Sequence, residues 1–100
     1  MFLASFDIGI KNLALCIVDE NKRIVLWDVL DVSGDDICKN IVNKLNNLEI
    51  FNRVGLVLLE KQPSFNPKMR VVEAYLYSYF VTKNITVRSV SSKYKLNAVN

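Results

Sequence analysis

Hydrophobic and polar positions alternate along this chain in blocks that predict strands first and helices later. Residues 2–8, Phe-Leu-Ala-Ser-Phe-Asp-Ile, and residues 13–18, Leu-Ala-Leu-Cys-Ile-Val, leave no polar face. Such runs predict two strands covered on both sides. Gly9 to Asn12 form the turn between them. Asp19, Glu20, Asn21 and Lys22 make a polar turn, which predicts an antiparallel hairpin into a third strand over residues 23–32. That strand places Val25, Trp27 and Val29 on one face and Ile24, Leu26, Asp28 and Leu30 on the other. The polar Asp28 among them predicts a partly exposed edge.

Periodicity then changes. Ser33 is predicted to cap a helix, with Asp35 and Asp36 at the positive end of its dipole. Ile37, Ile41, Val42, Leu45 and Leu48 recur at helical spacing to about residue 48. Asn46, Asn47 and Asn52 weaken the helix and mark the connection to a fourth strand over residues 54–60, which ends in Glu60. A loop with two prolines follows; Asn66 caps and Pro67 opens a second helix running to about residue 82. Met69, Val72, Leu76 and Phe80 form its apolar side, and Tyr75, Tyr77 and Tyr79 spread around the rest. Residues 85–90 are a fifth strand, and the polar tail from Ser91 is read as the opening of a further helix. The order βββαβαβ describes an α/β fold: an antiparallel meander of three strands, then parallel additions through right-handed crossovers, in one domain.

Composition fits a globular domain, with 51 % hydrophobic and 23 % charged residues in a chain of 100. No apolar run approaches the length of a membrane span, and the first residues lack a signal peptide's basic start and cleavage site. Cys16 and Cys38 lack metal-ligand spacing and read as small buried hydrophobes in a reducing, intracellular compartment. The Asn84-Ile85-Thr86 sequon is therefore expected to stay unmodified. Histidine is absent, which excludes histidine general bases, histidine triads and His-ligated zinc. The net charge is only +3, but the residues from 74 onward hold Lys83, Arg88, Lys93 and Lys95 and no acid. That skew suits contact with a polyanion and suits a solvated surface nearly as well.

Two carboxylates stand out against this background. Asp7 interrupts the first strand, and Glu60 ends the fourth. A lone strand-ending Asp is often only a turn or cap residue; two on core strands point to a divalent-metal site. If the fourth strand lies beside the first, the two carboxylates meet at strand ends about 4.8 Å apart. Two-metal sites space their ions by roughly 3.5–4 Å, a separation such a pair can serve. Oxygen ligands suit Mg²⁺, with Mn²⁺ as a substitute, and the chemistry implied is phosphodiester hydrolysis.

Ser-Phe-Asp-Ile-Gly-Ile-Lys-Asn at residues 5–12 and Leu-Leu-Glu-Lys-Gln-Pro at residues 58–63, in a βββαβαβ order, resemble the poxvirus Holliday junction resolvases. These are relatives of the bacterial RuvC resolvases in the ribonuclease H-like superfamily, and the resemblance runs the length of the chain. It implies a ribonuclease H-like fold with a mixed five-stranded sheet flanked by helices. It also implies a homodimeric, Mg²⁺-dependent endonuclease that cuts four-way DNA junctions while resolving viral concatemers in the host cytoplasm. By the same resemblance Asp7 is the first acidic ligand and Glu60 the second. The family adds an Asp-x-x-Asp pair on a C-terminal helix and a catalytic lysine before it. Here no acid follows Glu73, and Lys93 and Lys95 are the candidates for that lysine unless it lies past Asn100. Residues 1–100 are thus expected to be a resolvase domain lacking its C-terminal helices, and inactive alone.

The candidate DNA contacts are Lys11, Asn12, Lys61, Gln62, Lys68, Arg70, Lys93 and Lys95. Lys11 and Asn12 are equally hairpin residues, whereas Lys68 and Arg70 begin a helix whose terminus also receives phosphate. The second helix is the usual dimer surface of the family, which offers Met69, Val72, Tyr75, Leu76 and Tyr79, although an ordinary core face competes for the apolar ones. Two rivals come from other classes. An ATP-binding half domain of actin or sugar-kinase type also opens with Asp-x-Gly on a turn, but this turn has no further Gly, Ser or Thr. A non-catalytic, dimerising DNA-binding module on the same fold is the other.

Overall fold

A computed structural model describes residues 1–9, 11–62 and 66–91. Their elements are β1 (Phe2–Ile8), β2 (Asn12–Val18), β3 (Ile24–Asp31), α1 (Ile37–Asn46), a 3₁₀ turn (Glu49–Arg53), β4 (Val54–Glu60), α2 (Pro67–Thr82) and β5 (Thr86–Val90). The strands form one five-stranded sheet in the order β3-β2-β1-β4-β5. β1–β2 and β2–β3 are antiparallel, while β1–β4 and β4–β5 are parallel. The expected mixed sheet is therefore present, with β4 beside β1. Lys93 and Lys95, and the helix expected after Ser91, lie outside the described residues.

Strand alternation sorts the first strand cleanly. Phe2, Ala4, Phe6 and Ile8 are buried in the core with Leu13, Leu15 and Ile17 of β2 and with Val57 and Leu59 of β4. Ile41 and Leu45 of α1 and Val72, Leu76 and Phe80 of α2 join the same core. Phe6, Phe51 and Phe80 meet ring to ring, with centroids 6.2, 5.6 and 5.1 Å apart. The other face is different. Trp27 is 71 % exposed, Val29 57 % and Val25 41 %. The expectation that β1 and β2 are covered on both sides holds at Ser5, which is buried beside Leu58, but fails at Asp7, because the described helices contribute to one core. Ala14 and Cys16, on the other face of β2, are only half-buried.

Local chemistry explains the element ends. Asp19 accepts from the amides of Asn21 and Arg23 at 2.8 and 2.9 Å, which closes the β2–β3 turn with Lys22 at a positive φ of 64°. Asp36, rather than Ser33, caps α1, its carboxylate accepting from the Lys39 amide at 3.0 Å. Ser33 is instead held by Asp31, to which both its amide and its hydroxyl donate. α1 stops at Asn46, and the following turn buries Phe51. Asn66 caps α2 as expected, accepting from the Met69 amide, with Pro67 in the first turn. β3 is the sheet edge that Asp28 foretold. Among the described residues no helix is long and apolar enough to cross a membrane.

Candidate functional site

β1 and β4 run parallel, with Ala4 beside Val57, Ser5 beside Leu58 and Phe6 beside Leu59. Phe6 and Leu59 are wholly buried against the helices. One residue further, alternation turns Asp7 and Glu60 toward the opposite face, at the same end of neighbouring strands. Asp7 is exposed and Glu60 half-buried. Asp7 thus escapes the desolvation cost that a strand covered on both sides would impose. Cys16 pairs with Ser5, two residues before Asp7, so the register puts Cys16 and Asp7 on one face. The Cys16 thiol is pushed above the ordinary value by burial first and by the Asp7 carboxylate second.

The turn after Asp7 depends on Gly9. A Cβ there would lie 2.7 Å from the Asn12 carbonyl oxygen, well inside contact distance. The Val32 amide donates to the Lys11 carbonyl at 2.9 Å, joining this turn to the end of β3. On the other side the Lys61 amide donates to the Val90 carbonyl at 2.8 Å, extending the pairing of β4 with β5 past Glu60. The strand ends that bear the two carboxylates are therefore braced from both flanks.

The other expected residues divide. Lys11, Asn12, Lys61, Lys68 and Arg70 are exposed; they sit in the β1–β2 turn, at the start of β2, in the β4–α2 connection or in the first turn of α2. Gln62 is a correction: it is buried, and its side-chain amide donates inward to the Glu60 carbonyl at 2.7 Å. It shapes the backbone instead of facing solvent. Val72 and Leu76 are corrections too, since both belong to the chain's own core and cannot form an outer dimer face. Met69 packs partly against that core. Tyr79 is half-buried, donates its hydroxyl to Asn46 at 2.6 Å and sets its ring edge-on to Phe80, bridging α1 and α2. Of the five expected interface residues, Tyr75 has its side chain most available.

Sequence reasoning counts Arg88 in the basic skew but does not place it at the site. It pairs with Leu58, one strand beyond Ser5, and so shares the carboxylate face on β5, exposed. The alternation of Thr86 and Arg88 with Ile85 and Val87 carried that signal. Glu73 lies outside the site. Its carboxylate accepts from the Gln62 amide at 3.0 Å and from the Ser89 hydroxyl at 2.9 Å. Ser89 pairs with Leu59, on the helix side of the sheet, so Glu73 and Glu60 face opposite sides.

Two carboxylates at adjacent strand ends supply the hard oxygen donors that Mg²⁺ or Mn²⁺ prefers. Among the described residues no group of three or more His, Cys, Asp or Glu side chains comes together, so the donor set fits such an ion in part.

A family model described as the poxvirus A22 protein matches residues 1–99. The chain belongs to the poxvirus A22 family. No curated protein matches it in sequence. The fold of this A22-family chain is similar to that of the fowlpox virus Holliday junction resolvase, at 25 % identity and a TM-score of 0.65, covering 91 % of this chain and 61 % of that one. The fowlpox virus resolvase with its substrate Holliday junction DNA gives 23 % identity and 0.68, covering 91 % and 60 %. RuvC of Thermus thermophilus in complex with a Holliday junction substrate gives 20 % and 0.72, covering 93 % and 66 %. The mixed sheet and helices are thus those of the ribonuclease H-like resolvases. The A22-family chain spans 60–66 % of the length of these three structures.

Proposed function

We propose that this chain is the nuclease core of a structure-specific endonuclease that cuts four-way DNA junctions by metal-dependent phosphodiester hydrolysis. The observation that carries this is the register of β1 and β4, which sets Asp7 and Glu60 at one end and on one face. Membership of the A22 family and the likeness to the fowlpox virus resolvase support the substrate. Mg²⁺ is the cofactor, with Mn²⁺ as a substitute; held by carboxylates, such an ion supplies Lewis-acid polarisation of the scissile phosphate and acidifies the attacking water.

Each residue then has a definite task. Asp7 and Glu60 hold the metal, and the core packing of Phe6 and Leu59 keeps their strands in place. Lys11, Lys61, Lys68 and Arg70 line the same end of the sheet and track the phosphate backbone without reading sequence. The sheet and its two helices are read as a single nuclease domain. Dimerisation uses the outer face of α2, where Val71 and Tyr75 are exposed one helical turn apart. Action on viral DNA would put the protein in the host cytoplasm.

The test is cutting of a labelled four-way junction by this protein in Mg²⁺. Asp7→Asn and Glu60→Gln should each reduce cutting to background while leaving junction binding intact. Cutting that survives either change overturns the assignment, and loss of binding in both means that these residues hold the fold.

A further inference from the structure

Glu73 has a carboxylate in an unexpected place, on the sheet-facing side of α2 between core residues Val72 and Leu76. Nothing in helix chemistry asks for it there, since it lies well past the first turn where the dipole favours acids. Its two oxygens are both engaged, by the Gln62 amide at 3.0 Å and the Ser89 hydroxyl at 2.9 Å. Gln62 in turn donates from its side chain to the Glu60 carbonyl at 2.7 Å. A connected path therefore runs from α2 and β5 through Glu73 and Gln62 to the backbone of Glu60. We propose that Glu73 is a positioning residue, which acts through Gln62 to fix the end of β4 and hence the direction in which Glu60 presents its carboxylate.

The physical case rests on where β4 ends. Beyond Glu60 the chain leaves the sheet, and the Lys61–Val90 bond is the last main-chain tie to a neighbouring strand among the described residues. A ligand at a strand terminus frays unless its backbone is held, and a misplacement of about 1 Å is enough to spoil a site of this kind. Gln62 supplies the hold by folding its amide back onto Glu60, and Glu73 keeps Gln62 in that pose. Glu73 itself stays on the helix side of the sheet, so it touches neither metal nor substrate.

This inference rests on Glu60 being a metal ligand, and the experiment separates the two claims. Backbone and side-chain NMR signals of Glu60 are recorded in the 100-residue chain and in Glu73→Ala, Glu73→Gln and Ser89→Ala, followed by titration with Mn²⁺. Glutamine keeps an acceptor for the Gln62 amide and removes the charge; alanine removes both. Glu73→Ala should move the Glu60 signals, speed exchange of the Gln62 amide and raise the Mn²⁺ concentration for half-broadening at least fivefold. Glu73→Gln should restore all three to within twofold of the unaltered chain. Ser89→Ala should shift them in the direction of Glu73→Ala by less, which serves if that variant fails to fold.

Unmoved Glu60 signals in Glu73→Ala overturn the proposal. So does an unchanged Mn²⁺ response beside moved signals, and so does a Glu73→Gln chain that behaves like Glu73→Ala, because charge would then be the cause. If the unaltered chain shows no broadening that Asp7→Asn removes, the metal assignment fails, and positioning is judged on the Glu60 signals alone.

Discussion

Phe6 and Asp7 are consecutive residues with opposite surroundings: one ring is wholly buried between Phe51 and Phe80, the next side chain is exposed. The core therefore aims the carboxylate, since rotating β1 to bury Asp7 would pull Phe6 out of a stacked cluster. Phe80→Ala should cost about 3–5 kcal/mol of stability, read from urea unfolding, because it empties the centre of that cluster. A loss below 1 kcal/mol would show that the three rings do not act as one unit. Asp31 gives a pH prediction. The Ser33 hydroxyl first and the Ser33 amide second hold its carboxyl below the ordinary value. The contribution of this pair is present above the unfolded carboxylate range, about pH 4, and is lost as pH falls through the folded value. Ser33→Ala should raise the Asp31 pKa toward the ordinary value, followed by its side-chain NMR shift; no movement would remove the hydroxyl as the main cause.

Helix α2 begins where the sequence says it should and buries the face that the spacing selects, but its polar interruptions matter as much. Asn66→Ala removes the acceptor for the Met69 amide and should destabilise the domain by about 1 kcal/mol, whereas Asn66→Gly should cost only a few tenths. Equal losses would mean that the cap bond contributes little. The same comparison at Asp36 tests whether α1 is capped there and not at Ser33, so Ser33→Ala should leave α1 intact by amide exchange. Spacing could not separate these two caps, because Ser33, Asp35 and Asp36 all precede the apolar series and all favour a helix start. Asp31 settles it by occupying Ser33.

Across the whole molecule, the sheet separates two environments. One face carries the aromatic and aliphatic core; the other carries Asp7, Glu60, Arg88 and the exposed Trp27. Trp27 is the single tryptophan, so its fluorescence reports on that second face alone. Acrylamide should quench it nearly as readily in the folded chain as in urea. Strong protection in the folded chain would mean that this face is covered, and the carboxylates with it.

Strand alternation, helical spacing and the Asn66–Pro67 start are short-range properties, so the order of elements and the edge position of β3 were written in the chain, and Asp7 and Glu60 stood out there as carboxylates on core strands. Which strand lies beside which is a long-range matter, and only the parallel pairing of β1 with β4 brings two carboxylates 53 positions apart to a common end. The folded chain alone could show that Gln62 turns inward, that Val72 and Leu76 belong to the core, and that Glu73 ties α2 to β5 and the Glu60 turn. A residue's type and spacing set what it prefers locally; which side of a sheet it meets, and whose hydrogen bonds it completes, depend on neighbours distant in sequence.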